Sequence, residues 1–154
     1  MQLSRGQWIT AAFSGAFALF GFWSFAITLA PVPEPLFHDA GVISSGEARR
    51  PRGEIAVIWI RVAPSGRQYA YPNILGNAEG VWNQIEPGRP IEVTYSNSRD
   101  PELWGLEVSG SSLITPQEAH RARRKNGLWG MAIGVACLGF LFYLFLVEGR
   151  RHAA

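Results

Sequence analysis

Cysteine is nearly missing from this chain. The single residue among 154, Cys137, excludes an internal disulfide and any cysteine-based metal site. Lysine is as scarce, since 13 of the 14 basic residues are arginine. An excess of one charge is missing too: net charge is +2, and residues 31–126 carry eleven basic and eleven acidic side chains. That parity leaves no basic footprint for nucleic acid. Tyr69, Tyr71, Tyr95 and Trp59 with Arg61 and Arg67 are therefore expected in a β core with ordinary edge charges, and not as a base-stacking platform. No P-loop, dinucleotide fingerprint, zinc spacing or nucleophile elbow occurs, so no cofactor or metal is expected.

Charge is also absent from two long stretches. Residues 8–30 and 127–147 hold no Asp, Glu, Lys or Arg over 23 and 21 positions. As helices they reach about 34 and 31 Å, against about 30 Å for the hydrocarbon core of a bilayer. Two transmembrane helices are expected, with Trp8 and Trp129 near their ends, where amphipathic rings favour the interface. A cleaved leader fits the first stretch poorly. Its small-residue site, Thr28-Leu29-Ala30, is followed at once by Pro31, so a retained anchor is expected. Cys137 aside, neither interior holds an ionisable residue, which argues against an ion or proton pathway.

Between the spans, Pro31, Pro33 and Pro35 end the first helix. The rest reads as β. Residues 54–63, EIAVIWIRVA, are apolar on both faces: Ile55, Val57 and Trp59 on one, Ala56, Ile58, Ile60 and Val62 on the other. That pattern predicts a central strand covered on both sides. Pro64-Ser65-Gly66 is a hairpin turn into a partner strand over 67–71. Strands are also predicted over 41–47, 91–95 and 103–108, with Pro87-Gly88 turning into the second of these. Residues 72–84 show no clear period, and Trp82 there reads as a packing residue. Five short strands suit a small antiparallel barrel or sandwich-like domain over 31–114. Thr115-Pro116-Gln117-Glu118 is a capping box with proline at the first helical position. It opens a helix over 116–147 that becomes the second span, with Asn126-Gly127 as a bend.

One stretch invites a catalytic reading. Ser96-Asn97-Ser98-Arg99-Asp100 offers a serine nucleophile, an anion clamp and a base. A nucleophilic serine needs a partner, usually histidine. His38, His120 and His152 belong to no recognisable motif. Asn, Asp, Ser and Pro between two strand-like runs instead make a turn, with Asp100 held extended by Pro101. No catalytic residue is assigned.

The order of these turns is familiar. Strand, Pro64-Ser65-Gly66, strand, then Glu86-Pro87-Gly88-Arg89-Pro90-Ile91-Glu92-Val93-Thr94-Tyr95, then a polar turn ending Asp100-Pro101-Glu102, resembles a widespread bacterial family. Its members carry a small β domain of unknown function between two membrane spans. Ser65 stands where that family usually has Asp, and Ser96-Asn97 where it usually has Asp-Pro after the tyrosine. The resemblance implies a fold and a topology, and no site residues.

Two surfaces remain. Arg121, Arg123, Arg124 and Lys125 form a cationic cluster beside the second span, expected to contact lipid head groups. Gly130 and Gly134, with Ala132 and Ala136, make a small-residue face, and Ala11 with Gly15 and Ser14 with Ala18 repeat the spacing in the first span. Helix–helix contact is expected there, while Phe13, Phe17 and Phe20 face lipid or a partner. Only basic residues near span ends set orientation. Four lie on the domain side of the second span; Arg5, Arg150 and Arg151 lie on the terminal sides. The compact group of four tips the expectation to a cytoplasmic domain on the inner (plasma) membrane. The sequence thus describes a non-enzymatic membrane protein presenting a β domain, as an accessory or scaffold subunit. Its partners are lipids and either other membrane subunits or itself. A lipid- or ligand-binding module is the alternative, and a membrane-anchored hydrolase a more distant one.

Overall fold

The computed structural model describes residues 5–97, 99 and 101–151, without the side chains at 5 and 147–151. Ser98, Asp100 and His152 therefore lie outside the described residues. The chain divides into a helical unit, up to Ala30 and from Arg124 on, and a β unit, Pro31–Arg123.

In the helical unit, α1 spans Arg5–Ile27. The longest helix, α3, spans Pro116–Arg151 and runs through Asn126-Gly127 without interruption. Their segments Gly6–Ile27 and Pro116–Leu146 are long and apolar enough to cross a membrane. The two helices meet through backbone. A Cβ on Gly21 would lie 2.3 Å from the Gly130 carbonyl, and one on Gly134 would lie 3.1 Å from that of Ala18. Gly127 faces Thr28. As α3 advances its partners in α1 recede, so the pair is antiparallel.

Among its described residues the β unit holds six strands in the order β3-β2-β1-β4-β5-β6: β1 Phe37–Arg49, β2 Val57–Ala63, β3 Gln68–Pro72, β4 Pro90–Ser96, β5 Glu102–Val108 and β6 Ser111–Ile114. All neighbours are antiparallel, and one parallel bridge, Ala70 to Glu102, joins β3 to β5. The strand count is six, not five. The extra strand, β6, follows a two-residue turn in which Ser109 and Gly110 both take positive φ, the requirement of a tight hairpin. β1 is longer than its apolar core, because its first half pairs with β4 and its second with β2.

The core is built from the inner rows of these strands: Ile58, Ile60 and Val62 of β2, Tyr69 and Tyr71 of β3, Val93 and Tyr95 of β4, Leu103, Leu106 and Val108 of β5. The expectation that β2 is covered on both faces fails. Its second row is open, with Trp59 39% exposed and Arg61 beside it. Arg61 continues the Val57–Trp59 row, and a sheet with one solvated face needs only one apolar row. Residues 72–84, which show no simple period, form a 3-10 turn (Asn73–Leu75) and the short helix α2, Ala78–Trp82. Leu75, Ala78, Val81 and Ile85 are buried there and Trp82 packs against the core. Gly76 and Asn77, both at positive φ, break the run in two.

The capping box forms as its spacing predicts. The Thr115 N–H donates to the Glu118 carboxylate (2.8 Å), and the Glu118 N–H donates to the Thr115 hydroxyl (3.3 Å). Ala119 is then fully buried against the core, so the first turns of α3 belong to the β unit.

Candidate functional site

The polar stretch after β4 forms a turn. Asn97 takes φ +59°, and its side-chain oxygen accepts the Arg99 N–H at 3.1 Å. This is the short side-chain-to-backbone turn that asparagine favours. Ser96 is buried, and its hydroxyl accepts the Trp104 indole N–H at 3.1 Å. Arg99 is exposed. Among the described residues no histidine contacts a serine hydroxyl. His38 pairs instead with Glu92 (3.2 Å) and Thr94 (3.3 Å) on the open face of β4. Among the described residues no three His, Cys, Asp or Glu side chains group as metal ligands.

A cleft of about 490 Å³ opens beside that turn, lined by Ala70 and Pro72 of β3, Ser96 and Asn97, Pro101 to Leu103, and Arg123. It lies where the ring β1-β2-β3-β5-β4 is joined by its single bridge. Arg123 forms one wall. Its guanidinium lies 4.5 Å over the Trp104 ring, pairs with Glu102, and donates to the Leu103 carbonyl at 2.9 Å. Its Nε is buried and has no hydrogen-bond partner among the described residues.

A second polar group lies at the β2–β3 hairpin. The Asp39 carboxylate accepts the Ser65 hydroxyl (2.6 Å) and the Tyr69 hydroxyl (2.7 Å), while Arg67 donates to Tyr95. Burial, then the bond to Asp39, raises the Tyr69 phenol far above its ordinary value. Burial likewise pushes Tyr71 up to about 12, and its hydroxyl donates to the Gly76 carbonyl at 2.7 Å. Tyr69, Tyr71 and Tyr95 are core residues whose rings are closed to stacking ligands, while Trp59, Arg61 and Arg67 of that group are exposed. Asp39 ties β1 to the hairpin, a role its sequence neighbours do not announce.

The residues singled out on the helices divide. Arg121, Arg124 and Lys125 are exposed, whereas Arg123 is held as described above. Gly130 and Gly134 face α1, but Ala132 and Ala136 are exposed on the other side of α3. Ala11 and Gly15 are half-buried, and a Cβ on Gly15 would meet nothing within 4 Å. Gly21 and Gly127 complete the contact and were not anticipated. Their signal is the alternating three- and four-residue spacing of 14-18-21 and 127-130-134, the geometry of closely packed helices. Phe13, Phe17 and Phe20 are 64, 56 and 63% exposed.

Comparison with known proteins finds no family model, no curated relative and no solved structure that matches this chain.

Proposed function

We propose that the protein is an integral membrane protein in which α1 and α3 cross the bilayer as an antiparallel hairpin and the β unit is displayed at the membrane surface. Its role is that of an accessory or scaffold subunit without catalysis of its own. One observation carries the reading. Only 11% of the apolar window of α1 and 6% of that of α3 is buried inside the protein. Trp23, Leu19, Trp129 and Phe142 are each more than 60% exposed. A core helix of a soluble protein hides such surface, and exposed apolar area on this scale needs a non-aqueous environment or a partner. The bacterial two-span family that the turn pattern resembles is the kinship this reading adopts, and the five-strand ring reads as a partly closed barrel. The absence of catalysis is supported by Ser96, whose hydroxyl is buried and engaged by Trp104. A cytoplasmic domain is the orientation this reading adopts, supported by the compact run of basic residues at 121–125.

A ligand-binding module is the second reading, favoured by the cleft beside Ala70 and Leu103, whose volume lies in the range of small-molecule sites. Extraction of membranes with alkaline carbonate tests the first claim: the protein stays in the pellet, and release into the supernatant refutes it. Purification in mild detergent tests the second. A defined co-purifying membrane subunit, or a homo-oligomer, agrees with the scaffold role, and a clean monomer contradicts it.

A further inference from the structure

The cations at the start of α3 are a single run in sequence but two groups in space. Successive residues turn by about 100° on a helix. Arg121, Arg124 and Lys125 therefore share a sector about 100° wide, and Arg123 points about 200° away from Arg121. The contacts agree. Ala119 is fully buried, Ala122 packs against the core, and Arg123 is bound to Glu102, the Leu103 carbonyl and the Trp104 ring. The other three are exposed and, among the described residues, make no ion pair within 4 Å. The nearest acid along the helix, Glu118, is occupied by Thr115. Leu128 continues the cationic sector toward the apolar run, and Trp129 follows, 66% exposed. Three exposed cations, then an aliphatic residue, then an exposed tryptophan make a profile in which charge gives way to hydrocarbon within about two turns.

We infer that this sector binds the head-group phosphates of anionic phospholipid through Arg121, Arg124 and Lys125, and that Arg123 takes no part because it clamps α3 to the sheet. The inference rests on the reading that α3 crosses the bilayer. Each basic residue near an anionic surface contributes a preference of about fivefold, so three together give one on the order of a hundredfold. Arg123 adds nothing to it, although sequence alone places it in the same cluster.

The full-length protein in a neutral detergent is titrated with phosphatidylglycerol and, separately, with phosphatidylcholine, and bound lipid is counted by native mass spectrometry. The wild type prefers phosphatidylglycerol by about a hundredfold. R121Q, R124Q and K125Q each lose about fivefold, and the triple variant shows no preference. R123Q keeps the preference while the β unit melts at lower temperature; if R123Q does not fold, R123K supplies the same comparison. A preference that survives in the triple variant overturns the inference. So does one that falls equally in a folded Arg123 variant, or one abolished by millimolar inorganic phosphate, which would mark a free-anion site. Failure of the spanning reading is distinguishable: the protein then leaves the membrane in carbonate, whereas a lack of head-group preference in a carbonate-resistant protein defeats this inference alone.

Discussion

Replacing Gly21 with alanine tests the helix hairpin most sharply. The added Cβ would stand 2.3 Å from the Gly130 carbonyl oxygen and 3.1 Å from the Gly134 nitrogen. The closest comfortable carbon–oxygen approach is about 3.3 Å, so α1 must withdraw by about 1 Å. A gap of that size forfeits a quarter to a half of each dispersion contact along the seam, and overpacking of this kind costs about 1–3 kcal/mol. The same change adds a helix-propensity gain of up to about 1 kcal/mol, which must be removed from the comparison. Gly15→Ala supplies that correction, since it lies in the same helix and its Cβ meets nothing within 4 Å. The difference between the two variants isolates the steric term. It is read from loss of energy transfer between labels on α1 and α3 as sodium dodecyl sulfate is titrated into the full-length protein. G21A is expected to separate earlier than G15A by about 1–3 kcal/mol. Equal behaviour of the two would refute the close contact.

Thr115→Ala removes the cap of α3 and lowers the melting temperature of the β unit, at a cost of about 1 kcal/mol. Glu118 is held below its ordinary value by the Thr115 N–H and hydroxyl, so its contribution is present at neutral pH and is lost as pH falls through that lowered value; E118Q flattens the acid limb of a stability–pH profile. Tyr71 is raised to about 12 by burial, so the folded state loses stability as pH climbs from about 10 to about 12. The phenolate absorbance of Tyr69 and Tyr71 is therefore expected to rise together with loss of the β circular dichroism, and free titration of both in a folded domain would contradict their burial. Gly46→Val drives a side chain into Ile85, whose Cγ2 would lie 2.5 Å from the new Cβ, and destabilises the β unit by about 1–3 kcal/mol in thermal melts.

Features with a single local cause were legible in the sequence. The absence of charge over 8–30 and 127–147 gave the two helices, and the proline, glycine and capping residues gave most of the turns between them. What failed depended on pairing. β6 is four residues, two of them serine, and becomes a strand only because β5 lies beside it. The openness of β2 was signalled by Arg61, yet Trp59 and Val57 outweighed it on that face. The role of Arg123 could not be read at all, since Trp104 and Glu102 meet it across about twenty residues of chain. The helix contact was half legible: glycine spacing marked Gly130 and Gly134, but the partner face is set by which side of α1 is small at Ala18 and Gly21.

If α1 crosses the bilayer, the domain and the amino terminus lie on opposite sides of it. Cysteines introduced singly at Gln2 and Ser65, the latter on the exposed hairpin turn, can be treated with a membrane-impermeant thiol reagent in intact and in permeabilised cells. The cytoplasmic-domain reading predicts that Gln2→Cys labels in intact cells and Ser65→Cys only after permeabilisation. The reverse pattern would keep the two spans and invert the orientation. Labelling of both positions from the same side would contradict the crossing of α1 itself.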